Sequence, residues 1–257
     1  MIIEYHQPES LAEALELLAR EAPPTFPLGG GTRLNQPSKA EYAVVDLREL
    51  GLDTFQASGN SLELGATLTL GRLLAQAEAA EPKLPDGLVK ALQREGTYNL
   101  RQVATVAGAL VAADGRAPFA LVMLAMDASL TTQPGDERLS LGDLLPLRQE
   151  RLRGRLISGV SIPLNVKLAY EYVARSPADW HIVGAALAAW PSGRARLALG
   201  GYGSAPVLAF DGPNLEGLEI AAASAYSQAG DEWASAEYRS EIAAVLARRC
   251  LDQLGGE

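Results

Sequence analysis

Two short stretches carry residue types suited to holding an anion. In Gly29-Gly30-Gly31-Thr32, three glycines leave main-chain N–H groups unobstructed and a hydroxyl follows, a combination able to wrap a phosphate. Taken alone, such a run makes a tight turn more often than a phosphate nest. It is not a Walker A loop, which needs a lysine and a hydroxyl after its last glycine, nor a GxGxxG strand-to-helix turn. The second stretch, Thr105-Val106-Ala107-Gly108, opens on a hydroxyl and closes on a glycine. A chain of net charge -9 with few nearby lysines must draw phosphate donors from backbone amides, and two turns can share that load.

The other reactive side chains point elsewhere. Cys250 is the single cysteine, so an internal disulfide is excluded and an iron–sulfur cluster would have to sit on a partner. His6 and His181 are the only histidines and lie far apart, with no HExxH or CxxC spacing to bind zinc, and each reads as structural. The acidic balance, with Arg148, Arg151, Arg153 and Arg155 as the only dense basic run, argues against nucleic acid. No stretch reaches the roughly 20 apolar residues of a membrane span, and the first residues lack a secretory layout, so a cytoplasmic location is expected.

The elements that must position these stretches alternate between strand and helix. Ser10 with Glu13 is a capping box, and Leu11, Ala14, Leu15 and Leu18 at helical spacing predict a helix near 10–21, closed by Pro23 and Pro24. Phe26-Pro27-Leu28 leads into the glycines, and Tyr42–Leu47 and Leu62–Ala66 read as strands. Helices are expected over 70–80, 87–94 and 116–126, a strand over 129–132 and a turn at 133–136. Beyond Pro163, strands at 167–175, 181–190 and 194–200 and two terminal helices predict a small α+β domain. The last helix, 238–254, is expected to turn Ile242, Val245, Leu246 and Cys250 inward.

The glycine loop, Leu62-Glu63-Leu64-Gly65-Ala66-Thr67-Leu68-Thr69 and Asn99-Leu100-Arg101-Gln102-Val103-Ala104-Thr105-Val106-Ala107-Gly108 together resemble the FAD-binding medium subunits of the xanthine and carbon monoxide dehydrogenase family. That family carries an AGGT-type loop, an IGALTT phrase and an IRNxATIGGNL phrase in this order. The likeness continues through Ser161-Ile162-Pro163, Arg175–Asp179, Gly200-Gly201 with Pro206, and Ser235–Arg239, so it covers essentially the whole chain. It implies an α+β fold: a two-part FAD-binding domain of the vanillyl-alcohol-oxidase (PCMH) type over 1–163, then an α+β C-terminal domain over 164–257 with an antiparallel sheet and helices. It also implies noncovalent FAD held by Leu28, Gly29, Gly30, Gly31, Thr32, Arg33 and Leu34 from the first loop and Thr105, Val106, Ala107 and Gly108 from the second, with Asp114 and Ile157. The partners it implies are a molybdopterin-binding large subunit and a 2Fe-2S small subunit, with a homo-oligomer possible for the isolated chain. Electrons would pass from the iron–sulfur partner through FAD to an external acceptor.

Several positions depart from the family phrases. Ala107 replaces a glycine and Ala109 an asparagine, the usual serine and aspartate fall near Asp114 and Pro118, Glu171 falls where a lysine is common, and Arg33 where an aspartate is. If Ala107 needed a positive φ, the strain would cost about 1 kcal/mol. These departures support a second reading, a structural or assembly subunit that keeps the fold without FAD. A bulky residue at Gly30 is expected to abolish FAD uptake while leaving the thermal transition of the protein nearly unchanged.

Overall fold

The computed structural model describes residues 1–34, 39–79 and 83–255. In chain order the elements are β1 (Ile2–His6), α1 (Leu11–Leu18), β2 (Thr25–Leu28), β3 (Tyr42–Asp46), β4 (Phe55–Ser58), β5 (Ser61–Gly65), α2 (Leu70–Ala79), α3 (Asp86–Arg94), α4 (Tyr98–Val103), α5 (Val106–Ala112) and α6 (Pro118–Ala125). There follow β6 (Ser129–Gln133), β7 (Glu137–Ser140), α7 (Leu141–Leu144), α8 (Arg148–Arg151), β8 (Leu156–Pro163), β9 (Lys167–Val173), β10 (Val183–Ala189), β11 (Ala195–Gly200), β12 (Val207–Gly212), α9 (Leu218–Ala225) and α10 (Ala236–Gly255). The fold is α+β. Contacts divide it into two compact units, one of Met1–Ala75, Gly96–Ala112 and Ser129–Ser161, the other of Gln76–Glu95, Ala113–Ala128 and Ile162–Glu257.

The first unit holds two sheets. In one, β3 lies between β1 and β2, all parallel, and its Tyr42–Asp46 run is buried throughout, as a central parallel strand should be. α1 covers one face of it, with Ala14 and Leu18 against Val45, Leu47 and Leu156. The helix starts as its sequence requires: Ser10 Oγ accepts the Glu13 amide at 3.2 Å, and Glu13 reaches back to the Glu9 amide at 3.2 Å. It ends at Leu18, earlier than the spacing alone suggests: the Arg20 amide bonds back only three residues, to Leu17 at 3.5 Å, which tightens the last turn, and the chain then runs on to Pro23. The second sheet runs β4-β5-β8-β6-β7.

The second unit is built on the antiparallel sheet β12-β11-β10-β9. Period-two alternation turns Ala185, Leu187, Leu197 and Leu199 toward α9 and α10, where they meet Leu218, Ala222, Leu246 and Cys250. α6, buried along its whole length, contacts β10 and β11, and α3 packs on α6 and β9. On α10 the buried stripe is Arg239, Ala243, Leu246, Ala247 and Cys250, whereas Val245 is 40% exposed. The expected inward Val245 is thus corrected: at 100° per residue it lies on the far side of the helix from that stripe. Arg239 pins the start of α10 in the interior. It forks onto Asp231 at 2.8 and 2.9 Å and donates to the carbonyls of Ala229, Ala234, Ile182 and Gly201, so a fully buried guanidinium has its charge and most donors satisfied.

Candidate functional site

The first unit brings the two glycine-bearing stretches into contact. β2 is held to β3, with the Leu47 amide on the Leu28 carbonyl at 3.1 Å, and this delivers the chain at Gly29. A Cβ on Gly30 would stand 1.6 Å from the Val103 carbonyl oxygen and 2.4 Å from its carbon, so backbone lies directly on backbone there. A Cβ on Gly29 would stand 2.7 Å from Thr105 Oγ1. Gly31 has φ +70°, a conformation that favours glycine. Thr32 and Leu34 are half-buried and Arg33 is exposed, and the Leu34 carbonyl accepts the Tyr42 hydroxyl.

The two stretches differ in what their donors are doing. In the second, the Val106 amide bonds to Leu68 O at 2.8 Å, Ala107 to Ala66 O at 3.1 Å and Gly108 to Thr105 Oγ1 at 3.2 Å. Thr105, 6% exposed, therefore caps α5 and buttresses Gly29 at the same time. In the first, the amides of Gly30, Gly31 and Thr32 donate to no acceptor among the described residues, although the loop is partly open to solvent. Unpartnered amides on a half-exposed loop suit an anion such as a diphosphate. The residues present therefore fit that part of FAD through the first loop, with the second acting as its support.

The departures noted in the sequence find physical explanations. Ala107 lies inside α5 with a right-handed φ, so its methyl carries no backbone strain, and the expected cost at that position does not arise. Ala109 continues the same helix, its amide on Thr105 O at 2.8 Å. Ile157, 5% exposed, sits in β8 opposite Thr132 in the first unit. Asp114 belongs to the second unit, where its exposed carboxylate caps the Arg116 amide at 2.8 Å, and Pro118 opens α6 there. Burial works to raise the Glu171 carboxyl, but Lys90 at 2.6 Å and Gln253 at 2.8 Å outweigh it and hold the group below the usual carboxylate range. Sequence reasoning missed Ala66, Leu68 and Val103, whose contribution is a carbonyl group and leaves no mark in residue type. Their only signal is that both phrases recur in family order.

Among the other groups with perturbed acidity, His181 and Cys250 are buried and Glu95 is half-buried, and each is structural. His181 is enclosed in the second unit, with a Cβ on Gly200 reaching within 2.7 Å of its Nε2 and its Nδ1 3.4 Å from the Tyr170 hydroxyl. Burial, aided by Arg116 and Arg94, carries its pKa down to about 3, so the ring stays neutral. Burial pushes the Cys250 thiol up to about 12, which removes the thiolate. Glu95 is raised to about 7 by burial and by Asp114, although it accepts the Phe119 amide at 2.8 Å at the start of α6. Among the described residues no group of three or more His, Cys, Asp or Glu could hold a metal, and no helix is long and apolar enough to cross a membrane.

Residues 1–165 match the family described as "FAD binding domain in molybdopterin dehydrogenase". The chain is 31% identical over 252 residues to "Uncharacterized protein YgfM" of Escherichia coli strain K12, covering 96% of this chain and 94% of that one. It is 26% identical over 282 residues to the carbon monoxide dehydrogenase medium chain of Afipia carboxidovorans, covering 97% and 96%. Its fold is that of a chain in the crystal structure of cyanide-inactivated Cu,Mo-CO dehydrogenase, with a TM-score of 0.77 at 21% identity over 98% of this chain and 97% of that one. With a family match across well over half its length, the chain belongs to the family of FAD-binding domains in molybdopterin dehydrogenases.

Proposed function

We propose that the chain binds FAD noncovalently and serves as the electron-transfer subunit of a molybdenum hydroxylase, beside a molybdopterin-binding large subunit and a 2Fe-2S small subunit. The observation that carries this reading is the pairing of Gly29 and Gly30 with the Val103–Thr105 turn, which leaves the amides of Gly30, Gly31 and Thr32 without a described acceptor. Those amides, with the Thr32 hydroxyl, would hold the diphosphate; Arg33 supplies the nearest positive charge in sequence. When bound, the flavin would supply the redox chemistry that links an iron–sulfur partner to an external acceptor. The chain's own part is to bind and orient. His181 and Cys250 are locked in neutral forms, and no acid–base role is assigned to this polypeptide.

A second reading, a scaffold that keeps the fold without FAD, is favoured by one observation: the amides of Val106, Ala107 and Gly108 are all engaged within the chain. Only one loop is then left to bind the diphosphate. The purified full chain separates the two. Under the flavin reading it is yellow or takes up added FAD with quenched flavin fluorescence; absence of uptake at tens of micromolar FAD favours the scaffold.

A further inference from the structure

The glycine loop leaves β2 after Leu28, which pairs with Asp46 at the end of β3. Its first part is held by the second stretch, Gly29 lying against Thr105 Oγ1 and Gly30 against the Val103 carbonyl. Its far end is held from a different place. The Leu34 carbonyl accepts the hydroxyl of Tyr42 at 2.5 Å. Tyr42 opens β3, about 13 Å before Asp46 along the strand, so the loop turns back along the sheet to reach it. Among the described residues no other side chain hydrogen-bonds to residues 31–34. Tyr42 is 8% exposed, its ring stands edge-on to Phe26 at 5.7 Å, and its strand is flanked by β1 and β2, so the hydroxyl is a fixed point.

A run of three glycines cannot fix its own shape: each has more backbone freedom to lose than any other residue, and none has a side chain to pack. A loop whose amides must converge on one diphosphate therefore binds more tightly when both of its ends are anchored beforehand, because less ordering is left for the ligand to impose. We propose that Tyr42 is a positioning residue for the FAD diphosphate, its hydroxyl holding Leu34 and through it the amides of Gly30, Gly31 and Thr32 in the arrangement the diphosphate takes. This inference rests on the flavin reading above. Tyr5 provides the contrast, since its hydroxyl also serves the sheet of β1, β2 and β3 but bonds to Asp46 and not to the loop.

The test measures the affinity of the full chain for FAD by quenching of flavin fluorescence, in the wild type, Tyr42→Phe and Tyr5→Phe, with urea denaturation of each in the absence of FAD. Both substitutions remove one hydroxyl and keep the ring. A loss of stability alone leaves affinity unchanged while nearly all of the chain stays folded, so affinity separates positioning of the loop from general support of the sheet. Tyr42→Phe is expected to raise the dissociation constant about three- to tenfold, the effect of one lost hydrogen bond, and Tyr5→Phe to leave it as in the wild type. Equal affinity of Tyr42→Phe and the wild type overturns the proposal while the flavin reading stands, and so does an equal loss in both variants. A Tyr42→Phe chain that does not fold also overturns it, the hydroxyl then being a support of the sheet. A wild type that takes up no FAD removes the flavin reading and this inference with it.

Discussion

Replacing Gly30 by alanine adds one methyl group at the junction of the two stretches. The new Cβ would lie 1.6 Å from the Val103 carbonyl oxygen and 3.1 Å from the Ala104 nitrogen, both backbone atoms that no rotamer change can move. Reaching ordinary contact requires the two segments to separate by roughly 1.5–2 Å. Overpacking against well-fitted neighbours costs about 1–3 kcal/mol, and a backbone obstacle places this case toward the upper end. Gly30→Ala should therefore lower both the stability of the protein and its uptake of FAD, which corrects the expectation that folding would be untouched. Gly51→Ala is the control: φ is +66° and nothing lies within 4 Å of its Cβ, so about 1–2 kcal/mol of stability is lost with FAD binding intact. Urea denaturation followed by circular dichroism gives the stabilities, and quenching of flavin fluorescence gives the binding. If Gly30→Ala unfolds with the wild type and binds FAD equally, the packing of the two turns is not what the geometry implies.

Other consequences are open to measurement. Truncating Arg239 to alanine takes a donor from the Ala229, Ile182 and Gly201 carbonyls and the charge partner from Asp231, with an expected loss of about 3 kcal/mol or more in chemical denaturation. For Glu95 the sign runs against most carboxylates. Its folded pKa of about 7 lies above the ordinary 4.5, so its contribution is fully present below pH 4.5 and is lost as the pH rises through 7. Glu95→Gln, which can still accept the Phe119 amide, should raise stability at pH 8 by on the order of 2 kcal/mol and have little effect at pH 4. His181 has the opposite sign: with a folded pKa near 3 and an ordinary value of 6.5, its contribution is present above pH 6.5 and is lost as the pH falls toward 3. Stability of the Glu95→Gln variant should accordingly fall steadily from pH 6.5 downward; a variant that parallels the wild type across pH 4–8 would show that Glu95 titrates normally.

What could be read from the residues was the local chemistry. The Ser10–Glu13 cap, the strands near 181–190 and 194–200 and the glycine run each depend on neighbours in sequence, and the family phrases preserved their order along the chain. What could not be read was tertiary. Nothing in Ala66 or Leu68 announces that their carbonyls take up the amides of α5, although this decides which loop has donors to offer. Ala107 looked like a damaged phosphate contact because residue type alone does not reveal whether a position is loop or helix. The apolar side chain of Val245 predicts an inward position, whereas the helical phase fixed by Arg239 and Cys250 turns it outward. Arg239 itself, charged and yet fully enclosed, runs against composition, and its burial follows from carbonyls distant in sequence that converge on it.

Amide hydrogen exchange on the full chain with and without FAD tests the central claim most directly. The amides of Gly30, Gly31 and Thr32 should exchange quickly alone and slow on adding FAD, while those of Val106, Ala107 and Gly108, already bonded, should be slow in both. Saturating FAD that leaves residues 30–32 as fast as before, or that slows only residues 106–108, would contradict it.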